Sequence, residues 1–158
     1  MRGYFGVGVE GISKPFNVGN LFRTAHAFGA SFAFTINANY KAEKAISDTA
    51  KSYEHMPLYA WAKVEDISLP EAAQIVGVEI TDDAIDLPSF RHPLNAVYVF
   101  GPERGILSDK LQSQCAYIVR IPTKFSINVG TAGAIVLYDR LISIGRFENR
   151  PVRSGGPV

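Results

Sequence analysis

The run IPTKFSINVGTAGAIVLYDRL, residues 121–141, decides how the rest of the sequence is read. Pro122 stops the β-rich run before it, because proline has no N–H to give a strand ladder. Ser126 and Asn128 then precede a long apolar helix pattern. Gly130, Ala132, Gly133 and Ala134 open that helix with small residues, and Ile135, Val136, Leu137, Leu141 and Ile142 make it largely buried. A glycine inside a helix costs about 1 kcal/mol relative to alanine. Two of them imply a compensating contact, which is close approach to another backbone.

The same triplet, Asn-Val-Gly, occurs once more, in PFNVGNLFRTAHAFGA at 15–30. Here Asn17 is expected to cap a helix over 18–29 by accepting its first backbone N–H bonds, and Gly19 clears space for a near neighbour. Leu21, Phe22, Ala25, Phe28 and Gly29 supply the packing stripe. Arg23 stands among them, six residues beyond Asn17 and so less than two helical turns away. That is near enough to share a site with Asn17.

Outward from these two segments, β-branched and apolar runs read as strands at 4–12, 31–37, 56–61, 75–80, 96–101 and 116–122. Helical patterns fall near 18–29, 41–52, 68–75, 108–114 and 129–147. This alternation predicts an α/β fold, with a mostly parallel sheet flanked by helices. One domain over 1–148 is expected, with a flexible tail over 149–158. Such sheets bind ligands beyond the carboxyl ends of their strands. The segments that follow the strands here are SKPFNVGN, TDDAID, GPERGILSD and TKFSIN. They point to a site assembled from several loops at one end of the sheet.

Composition narrows the classes. The 158 residues are 47% hydrophobic, and no run of eighteen apolar residues marks a membrane span. The amino-terminal MRGYFGVGVEG is not a secretory leader. A single cysteine, Cys115, excludes an internal disulfide framework and suits a reducing cytoplasm. His26, His55 and His92 have no metal-ligand spacing, so no metal is expected. The net charge of +1 is unevenly spread, with local balances of +3 over 1–63, −6 over 64–100 and +4 over 101–158. The two ends can form one basic surface while the acidic middle faces away from a polyanion.

The segment VYVFGPERGILSD, 97–109, closes a strand on Gly101 and Pro102 and leads to Ser108, a candidate helix cap. Gly101 and Gly105 let the main chain fold tightly and show its N–H and C=O groups to a ligand. Glu103 is expected to tie this loop together. The segment lacks the G-x-G-x-x-G of a dinucleotide site and the Lys-Ser/Thr of a P-loop.

Taken together, NVGNLFRT, GPERG followed by Ile106, and IP…SINVGTAGAI resemble the three motifs of the SpoU (TrmH-like) branch of the SPOUT RNA methyltransferases. VGVEITDDAIDL at 76–87 also resembles a stretch of that family. The likeness covers nearly the whole chain, with the motifs in the family's order. The resemblance implies a deep trefoil knot in the C-terminal third, a homodimer, and S-adenosylmethionine bound in the knot. It places Gly101 and Ile121 at the cofactor through backbone groups, with Glu79, Glu103, Gly105, Ser126 and Asn128 around it. The short step from Pro122 to Ser126 departs from the family's longer loop and narrows the expected adenosine pocket.

The resemblance further implies transfer of a methyl group to a ribose 2′-hydroxyl of tRNA or ribosomal RNA. Arg23 is then the critical side chain, as a phosphate clamp that steadies developing alkoxide charge, with Asn17 and Asn128 as organisers of loops and hydroxyl groups. Lys14, Arg23, Lys41, Lys44, Arg104 and Lys124 are the candidate RNA phosphate contacts. Tyr138, Asp139 and Arg140 are expected at the dimer surface or in solvent. A non-catalytic RNA-binding or ribosome-assembly factor on the same scaffold is the alternative; retention of Arg23, Glu103, Ser126 and Asn128 weighs for the enzyme.

Overall fold

The computed structural model describes residues 3–38, 51–150 and 154–155. Its centre is a seven-stranded sheet in which every pairing is parallel. In chain order the strands are β1 (Tyr4–Glu10), β2 (Phe32–Ile36), β3 (Leu58–Trp61), β4 (Gln74–Val78), β5 (Ile85–Asp86), β6 (Asn95–Phe100) and β7 (Tyr117–Arg120). The helices are α1 (Pro15–Ala27), α2 (Asp109–Gln114) and α3 (Val129–Ile144). The spatial order is β3-β2-β1-β6-β4-β7-β5.

The six strands expected from sequence are all present, with ends moved by no more than two residues. β5 is new. It has only two residues, paired with Val119 and Arg120 of β7, too few to show an alternation. The helix expected over 68–75 does not form. Ala73 N–H instead closes a turn on Pro70 C=O at 2.9 Å, and β4 starts at Gln74. The β-branched pair Ile75 and Val76 continues into the sheet, overriding the helix-favouring Glu71-Ala72-Ala73. The helix expected over 41–52 lies almost wholly outside the described residues; Ser52–Glu54 forms a short 3-10 turn.

β6 shows why the strands read as unbroken apolar runs. Ala96, Tyr98 and Phe100 enter the core between the sheet and α1 and α3. Val97 and Val99 enter a second core with Leu107 and Leu111 on the opposite face. A parallel sheet covered on both faces has no polar side to alternate with. On the first face, Leu21 and Phe22 of α1 meet Val136 and Leu137 of α3, each at most 1% exposed. Each such side chain contributes roughly 1.5–3 kcal/mol by leaving water.

The small residues of α3 make the contact that the sequence implied. A Cβ on Gly130 would lie 2.9 Å from Asn20 Cβ, and one on Gly133 would lie 2.6 Å from Leu21 Cδ1. The two helices therefore cross with almost no side chain between them at these points. Arg140 departs from expectation. It is 3% exposed, donates to Pro93 C=O at 2.6 Å and Leu94 C=O at 2.7 Å, and reaches Tyr98 OH at 3.2 Å. Its guanidinium carbon lies over the Phe5 ring at 5.1 Å and the Tyr98 ring at 5.9 Å from the centroids, which a helix pattern alone does not reveal.

Candidate active site

Because all strands run the same way, their carboxyl ends share one edge. There, four loops enclose a cleft of about 380 Å³, within the range of roughly 300–1,000 Å³ common to small-molecule sites. The segment after β1 contributes Lys14 from its loop and Asn17 from the first turn of α1, and the loop after β4 contributes Glu79 and Ile80. Pro102, Glu103 and Gly105 come from the loop after β6, and Ile121, Thr123, Ser126, Ile127 and Asn128 from the loop after β7. The floor is apolar, made by Val78, Phe100, Val129 and Ala132.

Asn17 is not a helix cap. α1 begins at Pro15, with Lys14 at the cap position and no side-chain cap bond there. Proline suits the first helical position because its missing N–H would have no partner anyway. Asn17, one turn in and 8% exposed, is turned to the cleft instead. Its amide Nδ2 donates to Glu103 Oε1 at 3.2 Å, and its Oδ1 accepts from Asn128 Nδ2 at 3.0 Å. Asn128 is the true cap, its Oδ1 accepting from Gly130 N at 2.8 Å and Thr131 N at 3.4 Å.

Glu103 binds the loop after β6 to the loop after β1. Its carboxylate accepts from Ser13 N at 3.2 Å and Lys14 N at 3.0 Å as well as from Asn17. Burial raises its pKa, but the bonds from its own backbone N–H, Lys14, Ser13 and Asn17 outweigh this and hold it below the usual carboxylate value. A second carboxylate, Glu79, works the same way across the cleft. Its Oε2 accepts from Leu107 N at 3.0 Å and its Oε1 from Ile80 N at 2.9 Å. Gly101 permits this, since a Cβ there would stand 2.8 Å from Glu79 Oε2.

Glu10, outside the lining residues, is a structural carboxylate behind the loop after β6 that sequence reasoning missed. At 8% exposure it accepts from Ser108 N at 2.7 Å and Ser108 Oγ at 2.6 Å, while that same Oγ caps α2 by accepting from Leu111 N. A charged residue closing an apolar strand is the one signal of it. Arg120, which also lines the cleft, donates to Asp86 Oδ1 at 2.6 Å and Thr81 C=O at 3.1 Å, fixing the loop before β5.

Glu79, Glu103, Gly105, Ile121, Ser126, Asn17, Asn128 and Lys14 thus line one cleft. Gly101 sits just behind its wall, between the lining residues Phe100 and Pro102. Arg104 and Lys124 are exposed on the same loops. Arg23 is exposed on α1, outside the lining residues, with a rise of about 9 Å along the helix from Asn17. Lys41 and Lys44 lie outside the described residues. Among the described residues no three of His, Cys, Asp and Glu cluster to hold a metal ion, and no helix is long and apolar enough to cross a membrane.

The profile of the SpoU rRNA Methylase family matches residues 5–138. The chain belongs to that family. Among SpoU relatives, the mouse (Mus musculus) tRNA (guanosine(18)-2′-O)-methyltransferase TARBP1 is 26% identical over 144 residues, covering 81% of this chain and 9% of the mouse protein. The SpoU methyltransferase AviRb from Streptomyces viridochromogenes, solved in complex with the cofactor AdoMet, superposes with a TM-score of 0.78 at 21% identity. That match covers 91% of this chain and 62% of AviRb. A structure reported for the 2-OH methylation of C/U34 on tRNA superposes with a TM-score of 0.78 at 20% identity, over 91% of this chain and 99% of its own. This SpoU chain is therefore shorter than the first two relatives and similar in extent to the third, and the seven-stranded parallel sheet is common to the solved structures.

Proposed function

We propose that this protein is an S-adenosylmethionine-dependent RNA methyltransferase acting on a ribose 2′-hydroxyl, with tRNA as the favoured substrate over ribosomal RNA. The observation that carries the reading is the convergence of the three family segments on one cleft through the bonds among Glu103, Asn17 and Asn128. The chemistry of the cleft fits the cofactor. Val78, Phe100, Ile127 and Val129 offer an apolar wall for an adenine, while Glu79, Ser126 and Asn128 offer polar groups for a ribose and an amino acid moiety. The preference for tRNA rests on the mouse relative and on the similarly sized solved structure, both described as acting on tRNA.

S-adenosylmethionine, when bound, supplies a methyl group already activated on a sulfonium. The residues of this chain have the tasks of alignment and charge handling. Glu79 and Glu103 freeze the loops after β4, β6 and β1, and Asn128 fixes the loop after β7 to α3. Holding two reactants in near-attack geometry lowers a barrier by roughly 7–11 kcal/mol. Arg23, exposed on α1, clamps a backbone phosphate of the RNA and stabilises negative charge on the 2′-oxygen. Its guanidinium does not take the hydroxyl proton, because arginine stays charged in proteins.

The proposal includes a homodimer, the threaded C-terminal segment of the family and a cytoplasmic location. Ile135, Tyr138 and Ile142, each more than a third exposed, form one stripe of α3 and support pairing of two copies. Burial pushes the Cys115 thiol up to about 11, as suits an inert cysteine in a reducing compartment. The test is calorimetry with S-adenosylmethionine and with NAD, joined to mapping of ribose methylation in RNA from cells lacking the gene. Binding of the former only, with loss of a 2′-O-methyl site, is the expected result. NAD binding, or an unchanged methylation map, overturns the proposal.

A further inference from the structure

The rim of the cleft carries side chains that the chemistry above does not use. Phe16, Ile106 and Phe125 are 58%, 61% and 75% exposed. Each stands within two residues of a cation, Lys14, Arg104 or Lys124. Ile106 and Phe125 belong to loops that enclose the cleft and Phe16 to the first turn of α1; all three lie next to lining residues rather than among them. Leaving one large apolar side chain in water forgoes a substantial favourable burial. Ile106 and Phe125, on two cleft-forming loops that also carry Arg104 and Lys124, mark a surface that takes a ligand both flat and anionic.

Phe125 is the most exposed, and its backbone is held. Thr123 N–H donates to Ile121 C=O at 2.7 Å, and Thr123 Oγ1 lies 2.9 Å from Phe125 C=O and 3.3 Å from Ile121 C=O. The turn fixes the backbone of Phe125 immediately before Ser126, which lines the cleft. A pre-formed aromatic surface loses little freedom when a ligand stacks on it. The nearby acids do not oppose an anion strongly, because Glu79 and Glu103 are engaged by backbone N–H donors.

We infer that Phe125, with Ile106 of the loop after β6, stacks on the base of an unpaired nucleotide next to the methylated ribose, while Lys124 and Arg104 take the adjoining phosphates. The site thereby selects single-stranded RNA over duplex. This inference rests on the proposed RNA methyltransferase activity and adds the residues that read strand state. Duplex bases are stacked on one another and offer no free face, whereas every unpaired base does. Phe125 is a positioning and specificity residue, since it touches a neighbour of the reacting sugar rather than the donor.

The experiment uses the full chain and a short labelled RNA of mixed sequence, alone and annealed to its complement, with S-adenosylmethionine present. Wild type is expected to bind the single strand more tightly than the duplex. Phe125→Ala should weaken single-strand binding by about 5- to 150-fold, the range measured for losing one stacked base, and leave duplex binding unchanged. Phe125→Trp should restore it, and Lys124→Gln should lower the salt slope by about 0.7 for the one phosphate lost. S-adenosylmethionine affinity should be the same in all variants. Equal loss on both RNAs, no loss on the single strand, or conversion of a dimer to a monomer by Phe125→Ala overturns the inference. The last result would mean that a second copy covers the ring. Failure of wild type to bind S-adenosylmethionine overturns the activity itself and this inference with it.

Discussion

Asn128 donates its side-chain amide to Asn17 Oδ1 at 3.0 Å, across 111 positions of sequence. The orientation of both amides is set from outside the pair. Glu103 only accepts, so Asn17 must turn Nδ2 toward it and leave Oδ1 for Asn128. Asn128 must then present Nδ2 to Asn17, which aims its own Oδ1 at the first N–H groups of α3. One carboxylate thus fixes two asparagines and the start of a helix.

Replacement of Asn128 separates the brace from the cap. Asn128→Ala loses both and should cost about 2–4 kcal/mol, combining a lost cap with an unpaired, mostly buried amide oxygen. Asn128→Asp keeps a cap acceptor that the helix dipole favours by about 0.3–1 kcal/mol, yet it cannot donate to Asn17. Urea unfolding should rank wild type above Asp and Asp above Ala. Equal stability of the two variants would mean that the cap contributes nothing.

Glu103 makes the brace acid-sensitive. Its pKa in the folded protein lies below the ordinary 4.5, so the native state binds fewer protons than the unfolded chain as pH falls toward that value. The stabilisation is complete above about pH 4.5 and is lost as pH drops through the folded pKa. Glu103→Gln should be less stable than wild type at neutral pH and should converge on it below that window. A constant difference between the two from neutral to acid would exclude this role.

The strands were legible because a parallel sheet buried on both faces leaves unbroken apolar runs, as β6 does. The motif order likewise brought Glu79, Glu103, Ser126 and Asn128 to one cleft. What the sequence hid were partners distant along the chain. Asn17 looks like a cap because Glu103 and Asn128 are invisible from its neighbours, and Glu10 looks like a strand end because Ser108 lies 98 positions away. Arg140 reads as a surface residue on a helix pattern, since only the tertiary fold brings Pro93, Leu94 and Tyr98 to it. β5 was too short for any period, and 68–75 failed as a helix because the sheet claimed its end.

The two glycines of α3 should not respond alike to alanine. At Gly130 the added Cβ meets Asn20 Cβ at 2.9 Å and Asn128 Oδ1 at 3.2 Å, next to the backbone on one side and a committed cap on the other. At Gly133 it meets Leu21 Cδ1 at 2.6 Å, the far end of a flexible though buried side chain, which shifts at less cost than backbone or a committed cap. Overpacking costs about 1–3 kcal/mol, against a gain near 1 kcal/mol in helix propensity. Gly130→Ala should therefore destabilise by about 1–2 kcal/mol, while Gly133→Ala stays within about 1 kcal/mol of wild type by denaturant midpoint.

Arg23 tests the proposed chemistry. Arg23→Lys keeps the positive charge but loses the planar fork that grips phosphate at two points. Turnover on total tRNA should fall by about 10²-fold or more, with S-adenosylmethionine affinity retained because Arg23 lies outside the cleft lining. Near wild-type turnover in this variant would defeat the phosphate-clamp role.

A second pH window belongs to His92, 6% exposed beneath α3. Asp139 Oδ2 lies 2.8 Å from Nε2, so Nε2 carries the proton and Nδ1 is left to accept from Tyr98 OH at 2.6 Å. Tyr98 oxygen in turn accepts from Arg140. Protonating Nδ1 would set two donors against each other and place a second cation near Arg140. Burial lowers the His92 pKa below 6.5, with Arg140 assisting, although the bond to Asp139 opposes the shift. A histidine with a depressed folded pKa stabilises fully above about pH 6.5 and loses that contribution as pH falls through its folded value. Wild type should therefore weaken as pH falls from 6.5 toward the onset of the Glu103 window. His92→Gln, which keeps polar atoms but cannot titrate, should lose about 1–3 kcal/mol at neutral pH and show a flat profile over the same interval. Unfolding midpoints measured across that range decide it: parallel slopes for the two proteins would mean that His92 is charged in the native state.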